Sequence, residues 1–268
     1  MGRKYYYLIS GLPNFIDGTK GFDYAKIRDE IVELLADDDL GLLKFLQLDV
    51  DNQNIANILE KKNEFDTRAW FTKGELDDLL NDDTNELPDY IQKFLEDRKN
   101  EKESVQGLGV YEQLSYLYFE ELREKSAWFG EWVDFTIDLK NVVAAFSARE
   151  MGVSVEKSLL QLNDNAEKIL KSRATDFGMA STLPWLESIS KNINSPVALE
   201  EAIDDIYFKK VDEMAQMPDT EFGMESVLGF MVKANRIERW RRLDTEKGKA
   251  RVSELIENLK KSLEKQEN

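Results

Sequence analysis

Apolar residues recur along most of this chain at intervals of three and four, the spacing of one face of an α-helix. Asp23 is a plausible N-cap, and Ile27, Ile31, Leu34 and Leu35 behind it form one stripe. Asp37, Asp38 and Asp39 then read as a polar break. The spacing predicts a helix over 52–62 and another over 72–80, where Thr72 and Glu75 stand as a capping box. A third starts behind Pro88 and runs to about Lys99. Further helices are expected to about Ser126 from Tyr111, and from Trp128 to Gly152. Shorter ones follow at 154–162, 165–171 and 182–193, then longer ones from Pro196, over 223–243 and over 246–266. The first residues differ: Tyr5 to Ile9, followed by Gly-Leu-Pro, read as an extended arm or as a short helix ending near Pro13. No strand alternation appears beyond that arm, so the fold class is all-α.

Composition narrows the chemistry. Among 268 residues there is no His and no Cys, which removes zinc and haem sites, disulfides, thiol chemistry and His-dependent nucleophiles. The net charge of −17 opposes a phosphate backbone, so no nucleic-acid partner is expected. No stretch approaches the apolar length of a membrane span, and the apolar part of the N-terminus reads as too short and too aromatic for a signal peptide. A cytoplasmic location follows by elimination. Acidic runs at Asp37–Asp39, Asp77-Asp78 and Asp82-Asp83 lack the glycine and spacing of a calcium loop. Gly107-Leu108-Gly109 reads as a turn with no strand before it. Neither metal nor cofactor is expected, and carboxylate, lysine, tyrosine or backbone chemistry stays open to an enzyme. The almost wholly charged stretch 96–103 is the best linker candidate.

One internal repeat stands out. Asp51-x-x-Asn54-Ile55-x-x-x-Leu59-x-x-Lys62 matches Asp138-x-x-Asn141-Val142-x-x-x-Phe146-x-x-Arg149, the second copy 87 residues after the first. Asp and Asn compete for backbone hydrogen bonds and are poor mid-helix residues. Their recurrence reads either as a repeated task, such as capping a neighbour, or as two amphipathic helices whose polar faces coincide. A second constellation is basic: residues 233–251 hold eight Lys or Arg against three acids. Arg236, Arg239, Arg241, Arg242 and Lys249 would meet an acidic partner or anionic head groups, or would clamp the chain's own carboxylates. Trp128, Trp132 and Phe135 form a core stripe, and Phe129, off that stripe, is a candidate partner contact.

The stretch FTIDLKNVVAAFSAREMG resembles the Asp-x-x-Asn-Leu…Arg signature of the V-type ATPase C/d family, the central-stalk connectors written C in prokaryotes and d in eukaryotes. LDVDNQNIANILEKKN looks like an earlier copy of it, and FGMESVLGFMVKANRIERWRRL resembles the family's last segment, with its Glu-Ile-x-Asn-Leu-Arg core. There Ile237, Trp240 and Arg241 keep the Ile, Leu and Arg places, while Arg236 and Arg239 replace Glu and Asn. YYYLISGLP looks like the opening of a bacterial branch of unknown function encoded beside V-type ATPase genes. The resemblance implies an elongated, funnel-like helical domain of about three similar lobes, here roughly 1–105, 106–195 and 196–268. It also implies a non-catalytic central-stalk connector, one copy per complex, between the axle subunits and the membrane proteolipid ring. Such a protein lies peripherally on the cytoplasmic membrane face and passes on rotation coupled to proton or sodium transport. The alternative is an acidic helical adaptor that binds a partner helix.

Overall fold

A computed structural model of the chain describes residues 2–13, 22–81, 87–100, 108–156, 158–215 and 220–243. The described residues are α-helical with irregular connections and contain no strand. They fall into two compact units, one of residues 1–41 and 200–268, the other of residues 42–199. The predicted helix over 246–266 lies outside the described residues.

The first unit begins with α1 (Tyr6–Gly11) and α2 (Tyr24–Leu34). The N-terminal segment is therefore a short helix, the second of the two expected forms. Asp23 caps α2 by accepting a hydrogen bond from the Lys26 amide at 3.1 Å, and Ile27 and Ile31 turn inward. The expected polar break at Asp37 is instead the first turn of α3 (Asp37–Leu59). Three carboxylates there face the positive end of the helix dipole, which favours the helix. Asp39 also accepts hydrogen bonds from Arg3 and from the Tyr5 hydroxyl, which ties the N-terminus to that turn. The unit is completed by most of α10 (Pro196–Ala215) and by α11 (Met224–Leu243). α10 and α11 approach closely at Gly229: a β-carbon there would sit 2.9 Å from Val211 Cγ1. α11 is held to the start of α2 by Arg241, which donates to the Phe22 carbonyl at 2.6 Å.

The second unit carries the rest of α3, then α4 (Lys73–Asn81), α5 (Asp89–Lys99), α6 (Val110–Arg123), α7 (Ala127–Met151), α8 (Asp164–Lys171) and α9 (Leu186–Asn192). The expected linker at 96–103 starts inside α5, and residues 101–103 lie outside the described residues. α6 stops at Arg123 because Ser126 opens the next helix, accepting from the Phe129 amide at 3.2 Å. Gly152 closes α7 at φ 66°, a left-handed conformation that suits glycine. The helix expected over 154–162 is absent among the described residues there. The backbone of Leu160, in that stretch, is bonded to Asn141 instead of to a helical turn. The helix expected from Thr182 begins only at Leu186, after a turn in which the Thr182 and Leu183 amides bond to the Met179 carbonyl. Aromatic packing fills this unit: Trp128 stacks on Trp132 at 5.6 Å, and Tyr118 lies 5.1 Å from Phe119 and 5.7 Å from Tyr90.

Candidate functional site

Both copies of the repeat act on the irregular segment that follows their helix. Asn54, well inside α3, donates from Nδ2 to the Asp66 carbonyl at 2.9 Å and accepts the Asp66 amide on Oδ1 at 2.8 Å. Asn141, midway along α7, does the same to Leu160: Nδ2 to the carbonyl at 2.9 Å, the amide to Oδ1 at 2.9 Å. A carboxamide presents the same donor and acceptor as a peptide unit, so each Asn pairs with one residue's backbone as a neighbouring chain would. Of the two readings of the repeat, the structure selects the shared task.

The aspartates one turn earlier extend each clamp with different donors. Asp51 takes the amides of Trp70 (2.8 Å) and Phe71 (3.0 Å). Asp138 takes the side-chain amides of Asn163 (2.9 Å) and Asn165 (2.8 Å), and Asn163 also caps α8. Burial pushes the Asp51 carboxyl up to about 6, against the opposing pull of the Phe71 and Trp70 amides. Burial raises Asp138 as well, opposed by Asn165 and Asn163.

At the basic end the copies diverge. Arg149 donates to the carbonyls of Ser172, Ala174 and Thr175 and lies 3.8 Å over the Phe177 ring. Lys62 pairs with Glu60 at 2.6 Å on the surface.

In the first unit, the basic face of α11 is turned largely onto the chain's own carboxylates. Arg236 donates to Asp204 at 2.7 Å and lies 3.5 Å over the Tyr207 ring. Trp240, one turn on, donates its indole N–H to the other oxygen of the fully buried Asp204. Arg239 pairs with Glu200 at 2.6 Å, and Arg241 and Arg242 share Glu238. These arginines thus fit the internal-clamp reading, with Arg241 and Arg242 still exposed. Lys249 lies outside the described residues. Phe129 is corrected more sharply. Its ring is 0% exposed and packs edge-on against Trp128 at 5.2 Å, so it offers no surface to a partner. Among the described residues, no group of three or more carboxylates is arranged to hold a metal ion.

The sequence pattern of a family described as "Protein of unknown function (DUF2764)" matches residues 2–263. The chain belongs to DUF2764. No curated protein and no solved structure matches it. The residues of this DUF2764 chain that sequence reasoning missed are the receiving ends of its clamps. Asp204 carried a signal: a carboxylate between Ala202-Ile203 and Ile206, in the middle of a helix, needs a donor. Asp66 and Leu160 carried none, because a backbone group is invisible in residue identity.

Proposed function

We propose that this chain is the non-catalytic central-stalk connector of a V-type ATPase, seated on the proteolipid ring and receiving the tip of the rotor axle. The observation that carries the reading is the matched pair of clamps. Asn54 and Asn141 stand at equivalent places in the two stretches that resemble the C/d-family signature, and each makes the same two-bond exchange. The likeness between the two copies thus extends from residue identity to the task performed. The funnel-like body of about three lobes, the single copy per complex and the cytoplasmic, peripheral location come with that resemblance. No helix among the described residues is long and apolar enough to cross a membrane, which accords with a peripheral seat.

Torque is lost wherever a rotor part bends. Irregular segments are the soft joints of a helical body, and side chains that bond their backbones stiffen them. In this chain the segments after α3 and α7 are held that way. The test is co-purification: the tagged full-length protein should bring down axle and ring subunits from solubilised membranes at constant ratio. Recovery with neither would end the proposal.

A further inference from the structure

Within the first unit, α1 and α2 enclose an open groove of about 530 Å³. Its floor is apolar, from the buried Leu8, Ile27 and Ile31. Its rim is also apolar where a core residue would be covered: Tyr7 is 86% exposed and Leu34 50% exposed. Tyr6, beside Tyr7, is 60% exposed even though its ring meets Phe222 at 4.9 Å. Exposed aromatic and aliphatic side chains around one concavity mark a contact surface more often than a free one.

Charge decides what fits. Among the described residues, the charged side chains lining the groove are Glu30 and Glu33, close together on α2 and both exposed. Lys26 stands 3.7 Å from Glu30 in an exposed pair, whereas Glu33 has no ion pair among the described residues. No described lining cation offsets them. An apolar channel edged by carboxylates complements a helix with an apolar stripe flanked by Lys or Arg. From this we infer that the α1–α2 groove docks a basic amphipathic helix of another protein, with Tyr7 and Leu34 against its apolar stripe and Glu30 and Glu33 against its cations. Such docking stands apart from the connector reading, since either a rotary complex or another assembly could supply the helix.

The test uses the full-length protein and a labelled synthetic helical peptide of Leu and Lys, about 14 residues long, with Leu at helical spacing. A twin carrying Glu for Lys serves as the second probe, and fluorescence anisotropy reads both. The Lys peptide should bind and the Glu peptide should not. The double reversal Glu30→Lys/Glu33→Lys should weaken the Lys peptide by about tenfold or more and admit the Glu peptide. Leu34→Asp, at a half-exposed position at the end of α2, should weaken binding of the Lys peptide by a comparable factor. A reversal outside the groove lining, Glu156→Lys/Glu187→Lys in the second unit, changes the net charge equally and should leave both affinities within about twofold. The proposal is overturned if the second-unit pair weakens binding as much as the groove pair, or if Leu34→Asp changes nothing. It is overturned equally if sedimentation shows the chain self-associating in a way that Leu34→Asp abolishes, for then a second copy is the occupant.

Discussion

The clamps of the second unit and the α10–α11 contact of the first solve one problem in two ways. Each places an aspartate in the interior and must supply it with donors. Asp51 and Asp138 receive neutral N–H groups from the segments that follow their helices, and burial raises both carboxyls. Asp204 receives a guanidinium and an indole N–H from one face of the facing helix. A neutral donor orders a loop without bringing a second charge inside, and leaves the carboxylate partly uncompensated. A guanidinium compensates the charge but makes each partner dependent on the other. The first arrangement should therefore be sensitive to pH, and the second to truncation.

The largest effect follows from the second half of that contrast. Asp204→Ala leaves Arg236 and the Trp240 indole without their acceptor and should cost about 3–5 kcal/mol in urea unfolding of the full chain. A cost no larger than that of an exposed pair, such as Lys171 with Glu167, would erase the distinction between the two arrangements.

Next comes pH. Asp51 titrates at about 6 in the folded chain against an ordinary value of 3.8, so the native state holds its proton longer than the unfolded state. Its contribution is therefore fully present below about pH 4 and is lost as pH rises towards and through 6, by about 3 kcal/mol in all. The difference in unfolding free energy between the parent and Asp51→Asn, followed over that window, should slope by this amount and flatten above it. A difference that does not vary with pH would show that the loop amides stabilise the carboxylate fully.

The same contrast separates what could be read from the sequence from what could not. The bounds of α7 were legible because Ser126 and Gly152 act through their own backbone neighbours. Asn54 and Asn141 were legible as misfits in mid-helix, and their shared spacing gave the repeat. Their partners were not, since Asp66 lies 12 residues beyond Asn54 and Leu160 lies 19 beyond Asn141. Two loops of different length reach the same bond, so spacing carries no common signal. The same capture of backbone explains why the apolar pattern over 154–162 did not become a helix. Phe129 misled for another reason: periodicity finds the richest face of a helix, but α7 is covered on several faces. Arg236 and Arg239 of α11 left two readings because their partners Asp204 and Glu200 sit on a separate helix.

Truncating each Asn compares the clamps directly. Asn54→Ala and Asn141→Ala each remove two hydrogen bonds and strand one backbone amide and carbonyl, a cost of about 2 kcal/mol. Asn141 should cost the more, because Leu160 is buried while Asp66 is partly open to water. Amide exchange should quicken first at Leu160 in one variant and at Asp66 in the other. Exchange that quickens along all of α3 or α7 would point to a role in the helix itself.

The smallest effect sharpens the pH contrast from the opposite side. At the start of α4, Thr72 Oγ1 accepts the Glu75 amide at 3.3 Å, while Glu75 accepts the Thr72 amide at 2.7 Å. The Thr72 amide and hydroxyl together hold the Glu75 carboxyl below its ordinary range, the reverse of Asp51. Its stabilising share is therefore present at neutral pH and lost as pH falls through the native-state value. Thr72→Ala removes the hydroxyl that accepts the Glu75 amide and donates to the Glu75 carboxylate at 2.7 Å, and should cost about 1 kcal/mol. In an NMR titration the Glu75 carboxyl should then move back up towards its ordinary value, while Asp51 on α3 keeps its own. If Glu75 does not move, the backbone amide alone sets its titration and the hydroxyl serves only as a cap.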